Sequence, residues 1–213
     1  MPTSGYMLAG SDGTVLTFGD TPQQGAAPAD TVVSAATTPD GSGYRIANAD
    51  GSVVGFGFAA YNYYRGPMKL NAPVVGIASP SMESTYDDGG GAWLAASDGG
   101  VFTYGSARFL GSLGGIRINQ PIVGIAASPD GGGYWLVASD GGVFAFGDAR
   151  FFGSLGGIRL DKPIVGLAPS LDGGGYWMAG SDGGVFAFGD APYLGSGSSR
   201  RLAAPVVAIS STF

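Results

Sequence analysis

The chain repeats itself. Gly131 to Gly166 reads GGGYWLVASDGGVFAFGDARFFGSLGGIRLDKPIVG, and Gly89 to Gly124 matches it at 27 of 36 positions without a gap. The offset is 42 residues, and another 42 brings the pattern back from Gly173 to Ala208. Such a repeat constrains the fold more than any single motif, because each unit must be one supersecondary element that buries its faces against its neighbours. Five units align on a Tyr-Trp pair or its equivalents. They start at Tyr6, Tyr44, Ala92, Tyr134 and Tyr176, with spacings of 38, 48, 42 and 42 residues.

Each unit divides into four short apolar runs. In the fourth unit these are Tyr134–Ser139, Val143–Gly147, Ala149–Gly153 and, after a longer link, Pro163–Ala168. Asp140-Gly141-Gly142 supplies a tight turn between the first two. Val143-Phe144-Ala145-Phe146 alternates with the period of a strand, and no segment shows helical periodicity. With 41 Gly and 13 Pro the chain approaches low complexity, but its 45% apolar and 12% aromatic content supplies a core.

Four strands per unit of this length is the signature of a propeller blade. A β-solenoid is the less fitting architecture, because its coils are shorter and its ends need caps. The expected fold is all-β: a five-bladed β-propeller with four antiparallel strands per blade. One domain then spans 1–213, with blade 1 at 5–28 plus 205–213, blade 2 at 31–68, blade 3 at 73–114, blade 4 at 121–156 and blade 5 at 163–198. The innermost strand A carries small residues, as in Pro73–Ala78, Pro121–Ala126, Pro163–Ala168 and Pro205–Ile209. The chain begins in strand B and ends in strand A. The C-terminal strand A is therefore expected to pair with the N-terminal strands B-C-D, closing the ring and removing two open edges.

This order places the B–C turns and D–A links on one face. Asp12, Asp50, Asp98, Asp140 and Asp182 are B–C turn residues, and Lys69, Arg117, Arg159 and Arg201 share one position in the link. An Asp in such a turn caps its own backbone, and one carboxylate per blade does not converge on a cation. No metal and no cofactor are expected. Inter-blade ion pairs are expected for the basic row.

Composition narrows function by exclusion. The net charge is −6, from 15 Asp, Glu83, eight Arg and two Lys, without a basic cluster for nucleic acid. There is no His and no Cys, which removes the commonest general base, the thiol nucleophile and disulfides. The Gly-rich turns precede strands, so no helix N-terminus cradles phosphate. No apolar run approaches the roughly 20 residues that span a bilayer, so no membrane insertion is expected. A signal peptide is not recognisable ahead of the repeat. The chain is not expected to be an enzyme.

Candidate ligand contacts are the aromatic series Trp93, Trp135, Trp177, Tyr134 and Tyr176, since aromatic faces can stack on sugar rings. The competing reading makes these rings the filling between adjacent blades. Departures from the repeat supply the rest. Tyr61, Tyr63, Tyr64 and Arg65 form an aromatic and cationic patch in the second unit. An insertion in the third carries Glu83, Tyr86, Asp87 and Asp88. Both are loop changes open to drift or to a contact role.

The run Gly175-Tyr176-Trp177-Met178-Ala179-Gly180-Ser181-Asp182-Gly183-Gly184-Val185-Phe186-Ala187-Phe188-Gly189-Asp190-Ala191 resembles repeats common in exported actinobacterial proteins. There they stand beside cell-wall hydrolases, proteases or esterases. The likeness covers nearly the whole chain and is sharpest in units three to five. More distantly the pattern is similar to the tectonin, or tachylectin-2-like, repeats, of which one five-bladed member binds N-acetylated sugars. The first resemblance implies an extracellular or cell-surface, non-catalytic module. The expected function is lectin-like recognition of carbohydrate or cell-envelope polymer, with a protein–protein scaffold or spacer attached to a secreted enzyme as the alternative.

Overall fold

In a computed structural model, residues 5–9, 15–19, 25, 32–38, 42–57, 59, 64–80, 90–198 and 202–210 are described. They form five antiparallel sheets in chain order. The first holds β1 (Gly5–Ala9) and β2 (Val15–Gly19). The second holds β3 (Val32–Thr37), β4 (Gly43–Asn48), β5 (Val53–Gly57) and β6 (Tyr64–Arg65). The third has β7 (Val74–Ala78), β8 (Ala92–Ala96) and β9 (Val101–Tyr104). The fourth has β10 (Ile122–Ala127), β11 (Gly133–Ala138) and β12 (Val143–Gly147), and the fifth β13 (Ile164–Pro169), β14 (Gly175–Gly180) and β15 (Val185–Gly189). No α-helix occurs among the described residues, hence none long and apolar enough to cross a membrane.

The repeat in sequence is a repeat in register. Gly133 pairs with Gly147, Tyr134 with Phe146 and Trp135 with Ala145, and the same pairing recurs 42 residues on as Gly175 with Gly189, Tyr176 with Phe188 and Trp177 with Ala187. Even the divergent first hairpin keeps it, with Gly5 opposite Gly19 and Tyr6 opposite Phe18. Two glycines set this hairpin. Gly141 has φ +78°, and a Cβ there would meet Leu155 Cβ at 2.6 Å. Gly133 lies so close to the Ala149 backbone that no side chain fits between them. The strand before each hairpin joins through a bulge, between Ile122 and Gly124 in the fourth sheet and between Ile164 and Gly166 in the fifth.

The core lies between sheets. Trp93, Val101 and Leu113 of the third unit pack with Ile122, Tyr134 and Leu136 of the fourth. One gap further, Trp135, Val143 and Leu155 meet Ile164, Tyr176 and Met178. Similar clusters fill the gap between the second and third units and the gap between the first and second. The strands β3, β7, β10 and β13 run side by side, close enough that a Cβ on Gly76 would sit 3.2 Å from the Ile125 backbone nitrogen. Small residues at this position follow from that approach. The arrangement is propeller-like.

One expectation is corrected. Four strands per unit occur only in the second sheet; three sheets have three strands, and the first has two among the described residues. The run Ala149–Gly153 forms no strand and no ladder. Its carbonyls are taken by side chains: Arg150 O accepts from Trp135 Nε1 at 2.8 Å, and Gly153 O from the Tyr176 hydroxyl at 2.5 Å. Ring closure through a C-terminal strand is not seen among the described residues. Residues 202–210 form no strand, and Val207 is 82% exposed. The run is nevertheless docked where an inner strand begins. Val206 N donates to Ser181 O at 2.9 Å, as Ile164 N does to Ser139 O and Ile122 N to Ser97 O. Extended chain becomes a strand only where a neighbouring edge takes its hydrogen bonds, and no sheet joins 202–210 to β1 among the described residues.

Candidate functional site

The aromatic series divides sharply. Trp93 and Trp135 are each 1% exposed, and Tyr134 and Tyr176 are fully buried. Each Trp packs on the Tyr of the following unit: Trp93 on Tyr134 at 5.0 Å between centroids, Trp135 on Tyr176 at 5.7 Å. Their polar atoms are committed as well. Trp93 Nε1 donates to Arg108 O, and the Tyr134 hydroxyl to Gly111 O. These four rings fill the gaps between sheets and offer no face to a ligand. Trp177 is half-buried, with Nε1 donating to Pro192 O. Burial pushes the Tyr134 phenol up to about 12 and raises that of Tyr176.

Tyr61, Tyr63, Glu83, Tyr86, Asp87 and Asp88 lie outside the described residues, and of Tyr64 and Arg65 only the backbone pairing is described.

The turn aspartates cap their own turns, as Asp chemistry there dictates. Asp98, Asp140 and Asp182 accept from the backbone N–H of Gly100, Gly142 and Gly184 at 2.9–3.0 Å. Asp50 does the same for Ser52, whose side chain and backbone hydrogen bonds hold its carboxyl below the usual range. On the opposite turns the Ser128 hydroxyl donates to Asp130 and, with the Gly132 N–H, lowers its pKa. No three His, Cys, Asp or Glu side chains gather at a point among the described residues.

The link between units docks on the B–C turn, so both share one face. Leu113 N donates to Gly99 O, Leu155 N to Gly141 O and Gly197 N to Gly183 O. On this face, between the second and third units, a cavity of about 270 Å³ is lined by Lys69, Asn71, Asp98, Phe102, Phe109 and Ser112 among others. The aligned residues one unit on are Arg117, Asn119, Asp140, Phe144, Phe151 and Ser154. Lys69, Arg117 and Arg159 are exposed. No ion pair holds them among the described residues, so the expected inter-blade pairs are absent there.

Sequence reasoning missed the exposed rings of the connections, of which Phe109 lines this cavity. Phe109 and Phe151 are each 60% exposed and Tyr193 63%, one per unit at a 42-residue spacing. The signal was present in Arg108-Phe109-Leu110 and Arg150-Phe151-Phe152, where two apolar residues follow one another. Assigning a strand there suggested a ladder, whereas the segment is pinned through its carbonyls and turns the first of the two side chains outward. Leu110 and Phe152 point inward, Phe152 packing on Tyr176 at 5.6 Å.

No family model matches the chain, and no curated protein matches it. Among solved structures, the chain is similar to hydrazine synthase of Kuenenia stuttgartiensis, at 18% identity and a TM-score of 0.47. That match covers 70% of this chain and 41% of the other.

Proposed function

We propose that the chain is a non-catalytic, extracellular binding module for carbohydrate or cell-envelope polymer. The observation that carries this reading is the series Phe109, Phe151 and Tyr193, exposed on successive units beside link residues that can hydrogen-bond. A repeated series of exposed rings, unlike a single one, is the kind of surface that marks an interaction site. Equal spacing along the chain favours a partner that itself repeats, because several weak contacts to one polymer multiply through effective concentration. The absence of His and Cys from the composition supports binding without catalysis.

The five sheets act in this reading as blades of a closed five-bladed ring. Residues 202–210 supply the inner strand for the β1–β2 hairpin, which has none among the described residues. Two features support closure: Val206 already occupies the inner-strand position, and Trp177 remains half-buried where Trp93 and Trp135 are covered by the next unit's Tyr. The corresponding ring for Trp177 is Tyr6.

The test is retention of the purified chain on a glycan array and on insoluble cell-envelope fractions. Retention on at least one polysaccharide or on peptidoglycan is expected, and retention on none of them sinks the reading. A protein-binding scaffold is the second reading, favoured by Ile116 and Ile158, which stand exposed at the tips of successive links.

A further inference from the structure

The basic residues are segregated along the chain, and Lys69, Arg117 and Arg159 lie exposed on the links between units. Of the ten Lys and Arg, all but Arg45 fall in the sequence after the Val-Phe-type run of one unit and before the Pro-Ile-Val-type run of the next. The connections 58–73 and 105–121 hold Arg65, Lys69, Arg108 and Arg117 and no acid at all. In 148–163 the cations Arg150, Arg159 and Lys162 face only Asp148, directly after β12, and Asp161. The acids, by contrast, sit mostly in turns. There Asp98, Asp140 and Asp182 each engage an oxygen with their own backbone. A chain of net charge −6 thus carries its positive charge as a row on one set of connections.

The first groove shows how charge and ring meet. Lys69 of the second unit's link and Phe109 of the third unit line the same cavity of about 270 Å³. Arg117 precedes the unit of Phe151, and Arg159 that of Tyr193, at the aligned positions. Cations exposed and without an ion pair among the described residues keep their donors for an outside acceptor. Arg offers a carboxylate or phosphate two parallel N–H donors.

We infer that the polymer this face takes is an acidic polysaccharide, its sugar rings lying on Phe109, Phe151 and Tyr193 and its carboxylate or phosphate groups on Lys69, Arg117 and Arg159. This rests on the polymer-binding reading above and adds the charge of the ligand. Opposite charge would steer the polymer to this face despite the acidic whole, more strongly at low salt. Duplex nucleic acid also carries phosphates, but it shields its bases from the exposed rings.

The experiment measures retention of the full chain on four immobilised probes: polygalacturonate, a poly(glycerol phosphate) wall polymer, neutral dextran and duplex DNA, at low and high salt. The expected result is retention on one or both acidic polymers on the order of tenfold above dextran, weakening as salt rises. Which of the two is held tells carboxylate from phosphate. The triple variant Lys69→Gln, Arg117→Gln, Arg159→Gln should lose that advantage while its melting temperature and its retention on dextran stay as in the parent. Equal retention of neutral and acidic polymers, unmoved by the three substitutions, overturns the charge assignment and leaves polymer binding standing. Retention of none of the polysaccharides overturns both. DNA held as tightly as the acidic polymers overturns the role given to the rings, since charge alone then accounts for binding.

Discussion

At the scale of single residues, the recurrent rings Trp93, Tyr134, Trp135 and Tyr176 of the third to fifth units serve packing. Trp135 fills its gap at 1% exposure and ties Arg150 O through Nε1. Trp135→Ala is expected to cost about 3–5 kcal/mol in urea unfolding, the usual range for removing a buried aromatic. Gly141→Ala puts a Cβ against Leu155 at φ +78° and should cost about 1–3 kcal/mol. Tyr134 gives a pH signature. Its phenol is raised from 10.0 to about 12 in the folded state by burial. The unfolded chain therefore loses this proton first as pH rises, and stability present below pH 10 is lost through that window. Thermal unfolding should show a falling melting temperature between pH 10 and 12, with a shallower fall for Tyr134→Phe. One departure from the repeat has a residue-level logic. Where the next two gaps hold a Trp of one unit and a Tyr of the next, the gap between the second and third units has Arg45 and Ala92, both buried. A small residue makes room for the guanidinium, which donates to Ser79 Oγ at 3.2 Å.

At the scale of elements, hairpins were legible in the sequence and the connections were not. Val143-Phe144-Ala145-Phe146 alternates and is bounded by Asp-Gly-Gly, so period and turn chemistry agreed on β11–β12 before any contact was known. Ala149–Gly153 also reads as a strand, but what decides its state is long-range. Trp135 and Tyr176 reach it from two different units, and no local pattern contains that information. The same reach explains why Phe109, Phe151 and Tyr193 escaped notice, while the Trp series drew attention that burial does not support. Pinning through side chains has a measurable consequence. The Tyr176 hydroxyl donates to Gly153 O and accepts from Phe152 N at 3.3 Å. Tyr176→Phe should cost about 1 kcal/mol and speed amide exchange at Phe152, while the strands β13 to β15 keep their protection. Unchanged exchange at Phe152 would show that the segment is held by other means.

At the scale of the whole molecule, stacking of like units produces like surfaces. The gaps between the third and fourth and the fourth and fifth sheets are filled by the same ring pair, and the links of the third and fourth units each carry an exposed aromatic and an exposed cation. Recurrence in the buried series reports architecture, and recurrence in the exposed series is available to a ligand. Ring closure is a second property at this scale. If 202–210 pairs with β1 in the register that sets Gly166 opposite Ala179, then Ala208 falls opposite Ala9. The chain has no cysteine of its own, so Ala9→Cys with Ala208→Cys should form an intramolecular disulfide on mild oxidation, read as a monomer by non-reducing electrophoresis. Disulfide formed only between chains would contradict closure within one chain. The division between buried and exposed rings is tested most directly by the variant Phe109→Ala, Phe151→Ala, Tyr193→Ala. Its melting temperature and its retention on cell-envelope polymer should be measured together with those of the parent. The expected result is a melting temperature within a few degrees of the parent and loss of retention. Retention equal to the parent's, or lost only because the variant unfolds, would contradict the assignment of binding to the exposed rings.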